Sequence, residues 1–150
     1  MSEFLTTITY LKDQLIADAD VNVVTHGLSD SIDLDKKTTF PLAHIQVTNS
    51  EIADGYVAFT FEIHALKLRD ISKVPITDKW LKNDNELSNL DTCFDILNRL
   101  IMGLKLQRNA YDIELLGATN PEPITLDFMN MLDGWKTTIQ LQISNETTVC

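Results

Sequence analysis

Gly134-Trp135-Lys136-Thr137-Thr138-Ile139-Gln140-Leu141-Gln142-Ile143-Ser144 alternates from end to end. Trp135, Thr137, Ile139, Leu141 and Ile143 take one face, and Lys136, Thr138, Gln140, Gln142 and Ser144 take the other. Period-two alternation means a strand with one side on a core and one side wet. A second long strand is expected from Tyr56 to about Arg69, with Val57, Phe59, Phe61 and Ile63 buried and Thr60, Glu62 and His64 opposite. Its phase changes near Ala65-Leu66, which means a bulge or a strand buried on both faces. Pro41 opens a third, with Ala43, Ile45 and Val47 on one side and His44, Gln46 and Thr48 on the other. Asn49-Ser50 and Asp54-Gly55 bracket the turn between the two.

Helical spacing appears twice. Phe4, Ile8, Leu11 and Leu15 place one face of a helix over Ser2 to Asp18, with Ser2 as N-cap and Glu3 in the first turn. From Glu86 to about Arg108, Leu90, Phe94, Leu97, Ile101 and Leu104 step by four, three, four and three. Val21 to His26 is a short β-branched strand, and Ile113, Leu115 and Leu116 make another. Ala118 to Pro123 breaks the chain, and Ile124 to Leu132 fits either period. The order is α-β-β-β-α-β-β, so the fold class is α+β. A mostly antiparallel sheet of about four to five strands carries both helices on one face. His44, Gln46, Thr60, Glu62, His64, Gln140 and Gln142 fall on the other face, which is polar enough for water or a wet interface.

The chain is one domain of 150 residues, 44% hydrophobic and 23% charged, so it can build a core without disulfides or metal. Its net charge is −10, and residues 1–75 and 76–150 each hold 11 acids and 6 bases. With no clustered Lys or Arg, a phosphate-gripping groove and sequence-specific nucleic-acid binding are excluded. No apolar run approaches a membrane span, and Met1-Ser2-Glu3-Phe4 lacks the basic region and apolar core of a secretory leader. Cys93 falls on a helix's apolar side as a small core residue, and Cys150 ends the chain; a reducing compartment is expected.

Catalytic patterns are missing. There is no Gly-x-Ser-x-Gly elbow and no glycine-rich phosphate loop, so neither an enzyme nor a cofactor is expected. His44 and His64 on neighbouring strands, with Glu62 or Glu51, would match a His₂-carboxylate metal set, but strand spacing supplies such pairs by chance. Asp30, Asp33 and Asp35 lack the EF-hand pattern and are followed at once by Lys36 and Lys37. The irregular stretch 70–85 is long for a connection within a domain. It carries Ile71, Val74, Ile76, Trp80 and Leu81, the candidate protein-interface residues. Trp80 either anchors a partner there or covers the sheet edge, whereas Trp135 belongs to the core.

Two phrases add a resemblance. Phe40-Pro41-Leu42-Ala43-His44-Ile45 resembles the start of the central sheet in tail-completion, or tail-terminator, proteins of tailed bacteriophages. Asn89-Leu90-Asp91-Thr92-Cys93-Phe94-Asp95-Ile96-Leu97 resembles the start of their second helix. The order of elements over most of the chain is similar to theirs and to related head–tail connector proteins. The resemblance implies a virion structural protein at the head–tail junction, assembled in the bacterial host cytoplasm. Its partners would be copies of itself in a ring, usually a hexamer, together with tail-tube and head-completion proteins. DNA would pass through the lumen, which an acidic body would keep from adhering. A neck-ring component of a short-tailed phage and a small monomeric adaptor that binds one partner through a sheet edge remain the alternatives. A small enzyme using the His44/His64 face is a third.

Overall fold

A computed structural model describes residues 2–28, 39–70, 75, 77–80, 84–106, 111–127 and 131–147. The elements are α1 (Glu3–Ile16), β1 (Val23–His26), β2 (Leu42–Ala53), β3 (Tyr56–Leu68), α2 (Glu86–Leu106), β4 (Glu114–Leu116), β5 (Glu122–Asp127) and β6 (Leu132–Ser144). The sheet runs β1-β2-β3-β6. Beyond β6, one edge is shared by β4 and by β5, each antiparallel to it. Among the described strands β1 and β2 run parallel and the other pairs antiparallel. The class is α+β, and the two helices among the described residues lie on one face of a mostly antiparallel sheet.

The β3–β6 ladder holds register from Tyr56↔Ser144 to Leu68↔Leu132. On its helix-facing side Val57, Phe59, Phe61, Ile63 and Ala65 meet Ile139, Leu141 and Ile143. Leu11 and Leu15 of α1, and Cys93, Ile96, Leu97, Leu100 and Leu104 of α2, complete this core. Ser2 caps α1 as expected, its side chain accepting from the Leu5 amide at 3.2 Å. The buried positions of α1 are Thr7, Leu11 and Leu15, while Phe4 stays exposed with its ring edge against Phe59, 5.5 Å between centroids. Thr7 can be buried because its hydroxyl donates to the Glu3 carbonyl at 2.8 Å.

The phase change at Ala65-Leu66 is burial on both faces, because the register through it is unbroken. Leu66 joins Leu42, Ile124 and Leu132 in a second cluster on the sheet's far side, packed by Val23 and Phe40. The irregularity lies instead in β2, between Val47 and Asn49. Asn49-Ser50 is therefore bulged strand and not turn, and the chain reverses only at Asp54-Gly55, with Gly55 at φ 88°. A further strand, β5, begins within the expected break, at Glu122, and runs into the stretch that fits either period, as far as Asp127, while Leu132 already belongs to β6. Strand β5 carries Pro123, which an edge strand tolerates because one side of it needs no ladder donor.

The far face is also drier than its polar residues imply. His44 is 0% and His64 3% exposed. Gln46, Thr60, Glu62, Gln140 and Gln142 on the same face are half-buried and Thr138 is exposed, so the dryness is confined to the end that carries the two histidines and the second cluster. Among the described residues no helix is long and apolar enough to cross a membrane.

Gly134 sits in the ladder between Leu66 and Ile124, and a Cβ there would lie 1.8 Å from the Ala65 carbonyl oxygen. The obstruction is backbone and cannot swing aside. Gly134→Ala is expected to cost about 3 kcal/mol or more, read as a fall in the denaturant midpoint.

Candidate interaction surfaces

The residues that flank the stretch 70–85 are tightly held. Arg69, whose side chain is 7% exposed, forms two parallel hydrogen bonds with the fully buried Asp133, at 2.8 and 2.9 Å. A further contact reaches Glu86 at 3.2 Å. Hydrogen bonding to Asp133 outweighs burial and raises the Arg69 pKa, so the guanidinium is held charged. Asn89 donates to the Leu68 carbonyl at 3.1 Å and to Asp133 at 3.3 Å. Asn85 accepts from the Asp70 amide at 2.8 Å, which ties the two ends of the stretch to each other. The two ends of the stretch, at Arg69-Asp70 and at Asn85–Asn89, are thus fastened to each other and to the ends of β3 and β6.

Of the five interface candidates, Trp80 is described and is 64% exposed. Ile71, Val74, Ile76 and Leu81 lie outside the described residues. Trp135 is half-buried and packs edge-on to Phe94 with centroids 5.2 Å apart. Its indole nitrogen donates to the Leu90 carbonyl at 2.8 Å.

A larger apolar surface went unseen in the sequence. β1 pairs with β2 only as far as His26↔Ile45, and Gly27 adds one more bond to the Ile45 carbonyl. Between α1 and this edge lies a groove of about 610 Å³, lined mainly by Phe4, Leu5, Ile8, Leu28, Ile45 and Val47. Among the described residues its charged or titratable lining is Lys12 and His26. Phe4 is legible as a helix-face residue, but that the face would remain uncovered is a matter of where β1 stops.

The two buried histidines are structural in their contacts. His44 Nε2 donates to the Gly27 carbonyl at 2.9 Å, so Nδ1 accepts from the Thr25 hydroxyl at 2.7 Å. Both ring nitrogens of His44 are therefore engaged, and the ring fastens the end of β1 to β2. His64 stands edge-on to it at 6.1 Å, with Nε2 3.2 Å from Glu62. Glu51 lies away from this pair and accepts from the Tyr56 hydroxyl at 3.2 Å. Among the described residues no three His, Cys, Asp or Glu side chains converge as metal ligands. Cys93 is buried in the core, and burial pushes its thiol up to about 12, so at neutral pH it carries no thiolate.

Removing one partner of the buried pair strands the other charge. Asp133→Ala should lower stability by about 3–5 kcal/mol, whereas the double substitution Arg69→Met/Asp133→Leu should cost clearly less. Chemical denaturation followed by circular dichroism separates the two. Compared with known proteins, the chain matches no family model and no curated protein.

Proposed function

We propose that this chain is a ring-forming virion structural protein of the tail-terminator or tail-completion kind, which caps a phage tail tube and joins it to the head. The observation that carries the reading is the asymmetry of the sheet. One end is the β1–β2 edge with its apolar groove, and the other is β6 with β4 and β5 on its flank. Surfaces that differ at the two ends favour head-to-tail association, which closes into a ring when the rotation allows.

Two further features support the reading. The arrangement of helices and strands agrees with the topology on which the resemblance rests. Asp70 and Asn85, at the two ends of the stretch 70–85, are hydrogen-bonded to each other, and Trp80 between them is exposed, as a contact anchor would be. The charge of −10 per copy gives six copies about −60, a field that would keep DNA from adhering to a lumen. The partners in this role are copies of the chain, the tail tube and the head-side connector, at the head–tail junction of the virion.

Native mass spectrometry over a concentration series, with electron microscopy of large species, tests the reading. A closed ring, six being expected, supports it. A monomer at every concentration, with and without tail-tube protein, overturns it in favour of an adaptor working alone. Trp80→Ala should weaken ring formation or tube docking about tenfold or more. Unchanged assembly and docking would remove Trp80 from the contact.

A further inference from the structure

The second helix is not apolar on its buried side alone. Its buried positions include Asn89, Cys93, Ile96, Leu97, Leu100 and Leu104. On the flank beside them Leu87 is 46% and Phe94 41% exposed, with half-buried Leu90 between. These three stand at i, i+3 and i+7, the spacing by which a helix lies in an apolar groove. Phe94 is braced from beneath by Trp135, so the stripe is preorganised. The stripe cannot reach the groove of its own molecule. It stands over β6, two strands across from β2, and the buried positions of α2 hold it there.

Charge matches as well as shape. From Glu86 to Asn98 the helix holds Glu86, Asp91 and Asp95 and no Lys or Arg. Glu86 is engaged with Arg69, while Asp91 and Asp95 are exposed, and Asp91 is one turn from both Leu87 and Phe94. Among its described residues the groove offers the charge of Lys12 and no carboxylate. Lys12 has a local partner in Asp13 at 3.3 Å, an exposed contact that is weak and exchangeable.

We infer that the groove between α1 and β1 of one copy receives the Leu87–Leu90–Phe94 stripe of α2 from a second copy, with Lys12 facing Asp91 and Asp95. This rests on the ring reading and names the surfaces that would make its repeating contact. The two surfaces are different, so each copy keeps one free after pairing, and the contact propagates until it closes.

The test uses variants that block one surface each. Leu5→Glu puts a charge in the groove and leaves the stripe intact; Phe94→Glu does the reverse. Each alone should fail to form rings, and an equimolar mixture should give a one-to-one dimer and nothing larger in sedimentation velocity. Because Phe94 touches Trp135, a surface pair provides a second route, with circular dichroism confirming folding. Lys12→Glu alone, or Asp91→Lys with Asp95→Lys, should raise the concentration for half-assembly about tenfold. Combining all three should bring it back towards the parent value. Parent rings with variants that assemble as the parent does would overturn this contact and leave the ring reading standing. A parent chain that stays monomeric under every condition would overturn the ring reading, and this contact with it.

Discussion

The antiparallel pairing of β3 with β6 is the constraint from which the other elements take their places. Thirteen-residue strands meet in unbroken register, so the inward side chains of both are fixed as one apolar surface on which α1 and α2 settle. A slip of one residue would turn either Phe61 of β3 or Ile139 of β6 to the far side and bring His64 or Lys136 under the helices in its place. At one end of the ladder Gly134 lets the backbone pass against Ala65, and the next residue, Asp133, receives Arg69 from the opposite strand. The buried ion pair thus depends on the same register as the core. Breaking it strands a charge, which makes the pair a restraint on where β3 ends and α2 begins.

Much of this was legible in the chain. The alternation of Trp135 to Ile143 and of Val57 to Ile63 is a direct print of one-sided burial, and the spacing from Leu90 to Leu104 marks the second helix. β5 was not legible, because a strand paired only at one side tolerates Pro123 and needs no full period. The strand residues Asn49-Ser50, just after the bulge between Val47 and Asn49, read as the edge of a turn for a related reason. Asn and Ser favour turns by bonding to nearby backbone, and the Asn49 side chain does so here, accepting from the Ser50 amide at 2.9 Å, inside a continuing strand. His44 and His64 looked wet because their neighbours in sequence are polar. Both are buried all the same, and the partners of the His44 ring, Thr25 and Gly27, come from 19 and 17 residues away and meet it only in three dimensions.

The fastened ends of the 70–85 stretch were missed, though they left one trace. Asn89 falls in line with Cys93, Ile96 and Leu100 on the buried side of α2, where a polar side chain must have a partner. The partners, the Leu68 carbonyl and Asp133, come from strand ends 21 and 44 residues away in sequence. No local pattern announces such a meeting. The groove is hidden for the opposite reason, since it consists of apolar residues that local periodicity assigns to the core. Phe4, Leu5 and Val47 are exposed because β1 is four residues long and leaves the rest of β2 uncovered.

An acidic body sets a condition on any assembly of identical copies. At −10 apiece, two copies repel through the solvent, but at physiological salt that repulsion fades within about 8 Å. Inside that distance the local arrangement decides, and a contact must bring together apolar area and the few basic groups available. Arg69 and Arg99 are committed within the molecule, the one to Asp133 and Glu86, the other to Asp18 and Asp20. Lys12 is different, because it lies on the margin of an uncovered apolar groove and its own partner is only the adjacent Asp13. The uncovered surface of α2 has the complementary character, with Leu87 and Phe94 exposed and Asp91 and Asp95 beside them. The global charge therefore acts against indiscriminate clustering, and the local complementarity selects one orientation of approach.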